Sequence, residues 1–193
     1  QTPGLAAWQR APHMRRWRRR ISHMAHITLF RHAKAEIPNL ETADFERVLA
    51  SRGQRNATRM GRFIKEKGLL PDIVIVSTAA RTRQAWELAA SQWPDIPVMF
   101  LDSIYEASAT TVMAAIEAHG GDFERVMVIG HNPGLVVLLH NLVDRPPSGV
   151  NMSYFPTACV ADIGFDVRYI RDIHPESGRL LSFIRVRELE GQP

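Results

Sequence analysis

Two arginines and two histidines, Arg31, His32, Arg81 and His131, are of the types needed to handle a phosphoryl group. A neutral imidazole can attack phosphorus through one ring nitrogen while a hydrogen bond on the other fixes its tautomer, leaving a phosphohistidine that water then hydrolyses. His32 suits that nucleophile. Phosphoryl transfer otherwise asks mainly for placement and for positive charge on the equatorial oxygens. Arginine supplies both, because its planar fork offers paired donors and keeps its charge. Arg31 and Arg81 meet that need without a metal, and His131, beside the free amides of a helix start, adds a donor to the same anion. Singly, each has a plainer reading: His32 as a satisfied histidine at a strand end, Arg81 as a solvated helix residue like Arg83, His131 as a helix cap. Their shared placement favours a site.

That placement depends on the elements around them. From His26 onward, short β-rich runs alternate with helical segments, the pattern of a three-layer α/β/α sandwich with a mostly parallel central sheet. Strands are predicted over about His26 to Phe30, Ile73 to Val76, Val98 to Leu101 (weakly) and Val126 to Ile129. Between them lie a helix from about Arg55 to Lys67, with Ala57, Met60, Gly61 and Ile64 on one side, a helix carrying Ala85, Leu88 and Ala89, and a helix from about Ala109 to His119. Gly130-His131-Asn132-Pro133-Gly134 opens a nearly all-apolar helix, with Asn132 suited to the N-cap and Pro133 to the first helical position. A loop from Asp144 to Pro156 leads to late strands over about Thr157 to Ile163 and Arg179 to Arg187. Ligands of such sheets lie beyond the carboxyl ends of the strands. There the first strand delivers Arg31-His32, the second Ser77 and then Arg81, and the fourth His131.

A chain of 193 residues, 45% hydrophobic and 23% charged, suits one compact domain, placed here at 25–190. The net charge of +4 is concentrated at the start: Arg10, Arg15, Arg16, Arg18, Arg19 and Arg20 precede any acid, and without them 18 basic residues face 20 acidic ones. Residues 1–24 read as a disordered basic tail. It is either foreign sequence joined at Ser22-His23-Met24 or an upstream mis-start, the favoured reading, or else an arm for nucleic acid or acidic membrane, or a transit peptide. No nucleic-acid or membrane partner is expected from it. The longest apolar run, Leu135 to Leu139, is far too short to span a bilayer. The lone cysteine, Cys159, reads as part of a half-buried strand rather than a reactive thiol, which suits a reducing cytoplasm. His13, His23, His26, His119, His140 and His174 show no metal-ligand spacing, so neither metal nor other cofactor is expected.

Three ordered motifs carry a resemblance. Arg31-His32-Ala33 after the first strand, Ser77-Thr78-Ala79-Ala80-Arg81-Thr82-Arg83-Gln84 after the second, and Gly130-His131-Asn132-Pro133-Gly134 after the fourth resemble the histidine phosphatase superfamily, with its phosphoglycerate mutase-like fold. More narrowly the chain is similar to the short phosphohistidine phosphatases of the SixA type, from about His26 to Glu188. The resemblance implies that His32 is phosphorylated in the cycle and that Arg31, Arg81 and His131 bind the phosphoryl group. It also implies that Glu106, in Ile104-Tyr105-Glu106-Ala107-Ser108, stands where relatives acting on phosphate esters place a proton donor; the alternative is a plain loop residue. Many relatives have glycine at Ala33 and threonine at Ala85, and neither change removes a catalytic group.

The expected function is thus a metal-independent phosphatase working in signalling on a phosphorylated protein, such as a histidine-containing phosphotransfer domain. The short connection after His32 implies an open pocket that admits a histidine on a protein surface. A small-phosphomonoester phosphatase or, with less support, a mutase is the alternative, and a catalytically retired phosphate-binding module is the alternative of another class. Lys34 reads as a solvated loop residue and Thr157 as a plain strand threonine.

Overall fold

The structure, a computed structural model, describes residues 24–189, so the expectations for the basic tail, all but its last residue Met24, and for Glu190 lie outside the described residues. Six strands form one sheet: β1 (Ala25–Arg31), β2 (Ile73–Ser77), β3 (Val98–Leu101), β4 (Arg125–Gly130), β5 (Val160–Phe165) and β6 (Arg179–Ile184), in the order β3-β2-β4-β1-β5-β6. The first four are mutually parallel, and β5 alone runs the other way, antiparallel to β1 and to β6. Among the described residues four helices cover the sheet: α1 (Ser51–Glu66), α2 (Ala80–Ala90), α3 (Ala109–Gly120) and α4 (Gly134–Leu142). This is the expected three-layer α/β/α sandwich with a mostly parallel sheet.

The continuous apolar strands exist because both sheet faces are covered. Alternate residues of β2 enter different cores: Ile73 and Ile75 pack with Val112, Ile116, Leu135 and Leu139 of α3 and α4, while Val74 and Val76 pack with Ala57, Met60, Ile64 and Ala85 of α1 and α2. α1 buries Gly53, Asn56, Ala57, Met60, Gly61 and Ile64, a stripe at helical spacing. Its approach to α2 is so close that a Cβ on Gly61 would stand 2.1 Å from the carbonyl oxygen of Ala89.

Several boundaries differ from the sequence reading; β6, expected to run to about Arg187, ends at Ile184, and Val186–Leu189 form a 3-10 turn instead. α1 begins at Ser51 rather than near Arg55, because the buried residue of its first turn is Gly53, which carries no apolar side chain to mark the period. Asn132 does not cap α4: its side-chain amide donates to the carbonyl of Phe155 at 2.9 Å, the Asn132–Pro133 peptide is cis, and Pro133 occupies the cap position. The late strand begins at Val160 instead of Thr157, since Ala158 lies in the left-handed region at φ 58 and its N–H turns to the carbonyls of Arg31 and His32. Cys159 is fully rather than half buried, and burial pushes its thiol up to about 12.

Candidate active site

The carboxyl ends of β1, β2 and β4, adjacent in the sheet, set the site. β1 ends at Arg31, so His32 is the first residue past the ladder, and its N–H still reaches the carbonyl of Gly130 at the end of β4 at 3.1 Å. The backbone of His32 is thereby fixed by two strands. Its ring is fixed as well: Nδ1 donates to the carbonyl of Ala33 at 2.7 Å, which leaves Nε2 as the nitrogen with a free lone pair. His32 is only 8% exposed. Burial lowers its imidazole to about 3; the Ala33 carbonyl works against this, and the nearby His131, Arg81 and Arg31 add to it. The ring is neutral at physiological pH.

His131 lies beside it, with ring centroids 5.1 Å apart. Its Nε2 is 2.8 Å from the Ser77 hydroxyl at the end of β2, and burial with the charge of Arg81 lowers it to about 4. Arg31 donates through one terminal nitrogen to the Phe155 carbonyl at 3.0 Å, the same oxygen that accepts from Asn132. Arg81, in the first turn of α2 and 2% exposed, brings the second guanidinium. Among the described residues, the buried side-chain polar atoms without a hydrogen-bond partner are Arg31 Nε, Arg81 Nε, His131 Nδ1 and Asn132 Oδ1. All four residues line one pocket of about 220 Å³, together with His32 and Glu106. Asn132 Oδ1 is an acceptor, but the two guanidinium Nε–H groups are unmet buried donors, which are costly, and with His131 Nδ1 beside them they mark a place for an acceptor-rich anion.

The structure therefore brings together all five residues singled out in the sequence: His32, Arg31, Arg81, His131 and Glu106. Glu106 is the loosest of them. Its carboxylate lies 3.6 Å from Arg81 and is 56% exposed, and its backbone takes the left-handed φ of 48 that side-chain-bearing residues seldom adopt. Gly134 permits this loop to sit where it does, because a Cβ there would meet the Ala107 carbonyl oxygen at 2.2 Å.

Other residues at or beside the pocket escaped the sequence reading. The segment after His32 folds back through a bridge between Ala35 and Leu49 and an anchor from Leu49 N–H to Gln84 Oε1, and it lowers Asp44 onto Arg81. Arg81 donates to the Asp44 carboxylate at 2.9 Å and to its carbonyl at 2.6 Å, and the same carboxylate accepts from Tyr105 at 2.7 Å and Arg47 at 2.9 Å. The Tyr105 hydroxyl, with Arg47 and Arg81, holds that carboxyl down at about 2. Lys34 and Thr157, read as a solvated lysine and a strand threonine, both line the pocket. The turn at Ala158 takes Thr157 out of the sheet. Among the described residues, no group of three or more His, Cys, Asp or Glu side chains could hold a metal ion, and no helix is long and apolar enough to cross a membrane. His26 is used structurally, 3.1 Å from the Asp162 carboxylate.

The chain is similar to known proteins over most of its described length. No protein-family model matches the chain. An uncharacterised protein of Mycobacterium tuberculosis is 30% identical over 158 residues, spanning 79% of this chain and 97% of its own length. Among solved structures, a chain described as the phosphohistidine phosphatase SixA of Agrobacterium tumefaciens superposes with a TM-score of 0.69 at 27% identity, covering 83% of this chain and 97% of that one. A second chain so described, from Nakamurella multipartita, gives a TM-score of 0.72 at 26% identity over 84% and 96%.

Proposed function

The chain belongs to the histidine phosphatase superfamily, and we propose that residues 25–190 form a single domain that removes phosphoryl groups from histidine on a partner protein, with His32 as nucleophile. The observation that carries this reading is the His32 ring: buried, neutral, with Nδ1 spent on Ala33 and Nε2 left to attack, inside a ring of guanidinium donors. In the first step His32 Nε2 bonds to phosphorus as the bond from phosphorus to the substrate imidazole breaks. The leaving nitrogen takes its proton from solvent, which an imidazole does readily. In the second, water attacks the phosphohistidine, phosphate leaves and His32 recovers its lone pair. Arg31 and Arg81 balance the equatorial charge in both. With His131 Nε2 engaged by Ser77, Nδ1 remains for a phosphoryl oxygen. No residue in this sequence of steps calls for a metal.

The two SixA structures support the phosphohistidine substrate. The open pocket supports a substrate presented on a protein, as in a phosphotransfer domain of a cytoplasmic signalling relay. Glu106 at the pocket rim favours a second reading, a small phosphomonoester whose leaving oxygen needs a proton. Phosphate release in EDTA from a phosphorylated phosphotransfer protein and from a panel of small monoesters, by wild type and His32→Ala, separates them. Release from the protein that vanishes in the variant is expected. Release from small esters alone moves the assignment to the second reading, and no His32-dependent release from anything leaves a phosphate-binding module.

A further inference from the structure

A second cavity, of about 360 Å³, opens beside the first and shares Lys34 and Thr157 with it. Arg52 of α1 and Arg185 and Arg187 after β6 line it with Lys34, and no acidic side chain does. Arg185 is paired with Glu188 at 2.8 Å. Lys34, Arg52 and Arg187 make no salt bridge among the described residues. Asn56 also lines the groove, with no side-chain hydrogen bond among the described residues. Three cations without a salt bridge along one groove that no acidic side chain lines raise the positive potential there, and that is what a docking site for anions looks like before docking. The wall is not polar throughout: Tyr154 is 51% exposed and lies under the Arg187 guanidinium, 5.8 Å from ring centroid to cation.

We propose that this groove docks aspartate and glutamate side chains flanking the phosphohistidine of the partner protein, an inference that rests on the function proposed above. Cations spread along a groove with an exposed tyrosine match separated carboxylates on a protein surface better than one compact dianion. Because Lys34 and Thr157 belong to both cavities, a phosphohistidine in the pocket places its neighbours at the groove.

The test uses two phosphohistidine peptides of equal length, one flanked by aspartates and one by serines, with imidazole phosphate and a small bisphosphate ester as controls. Wild type is expected to favour the acidic peptide by about tenfold in kcat/KM, mainly through KM, and to lose the preference near about 0.5 M salt, where screening acts within a few Å. The doubly reversed variant Arg52→Glu/Arg187→Glu, and the milder Arg52→Gln/Arg187→Gln should reversal disturb folding, are expected to abolish the preference while turning over imidazole phosphate as wild type does. No preference in wild type, or a preference that survives both variants, overturns the docking. So does a variant defect confined to the bisphosphate ester, which would make the groove a second phosphate subsite. Wild type that turns over no phosphohistidine substrate overturns the function itself, and that failure is visible before any variant is made.

Discussion

At the scale of single residues, the two pocket histidines tie the site to the stability of the molecule. An unfolded histidine titrates near 6.5, whereas His32 and His131 in the fold are lowered to about 3 and about 4, chiefly by burial. Below 6.5 the unfolded chain gains protons that the native state refuses. Their contribution is therefore complete above about pH 6.5 and is lost as the pH falls toward 4, at about 1.4 kcal/mol per histidine per pH unit. Urea midpoints of wild type and His131→Asn, compared from pH 7 to pH 4.5, should show a shallower acid decline in the variant; parallel declines would contradict the buried neutral ring. Glu106 makes a second test at this scale. Glu106→Gln is expected to slow small-ester hydrolysis by roughly 10²-fold while leaving phosphohistidine hydrolysis nearly unchanged, since only the ester's leaving oxygen needs the proton.

The four pocket residues were legible in the sequence because each lies within four residues of the end of a strand whose apolar run is unmistakable. Asp44 was not, for it is 37 residues from Arg81 and 61 from Tyr105 and meets them only after the loop folds back. Lys34 and Thr157 read as a solvated lysine and a strand threonine because nothing local shows which way a loop side chain turns.

At the scale of elements, the fold-back segment after β1 keeps the Asp44 carboxylate beside Arg81, the arginine proposed to bind the phosphoryl group. Asp44→Asn removes that charge while leaving an acceptor oxygen for Arg81 or Tyr105. Loss of one negative charge roughly 6 Å from a bound oxyanion corresponds to somewhat under 1 kcal/mol in a solvent-like medium. Inhibition by inorganic phosphate should therefore tighten by about threefold, and an unchanged inhibition constant would show that the carboxylate is displaced from the site in solution. The α1–α2 contact is less forgiving. Gly61→Ala places a methyl against the Ala89 backbone, which cannot yield as a side chain can, so a loss of about 2–4 kcal/mol is expected in urea denaturation. Such contacts also limit what a sequence shows: a glycine packed against a backbone leaves no apolar mark, so the apolar period points to a start near Arg55, four residues after the true one at Ser51.

At the scale of the whole molecule, the layer architecture was readable because strands buried on both faces and helices buried on one have different periods. The direction of β5 was not, because its pairing follows from the turn at Ala158 and the return of β6, neither of which has a local signature. The same turn closes a small frame. The His32 N–H lies on the Gly130 carbonyl, and the His32 carbonyl accepts from Ala158, so the proposed nucleophile is itself a rung joining β1, β4 and the approach to β5. Chemistry and cooperativity then share one backbone. In a denaturant titration, enzymatic activity and far-ultraviolet ellipticity should vanish at the same midpoint, and the His32 amide should exchange with solvent only through global opening. A partly melted protein that keeps its sheet but has lost the placement of His32, or the converse, is not a state this framework can populate.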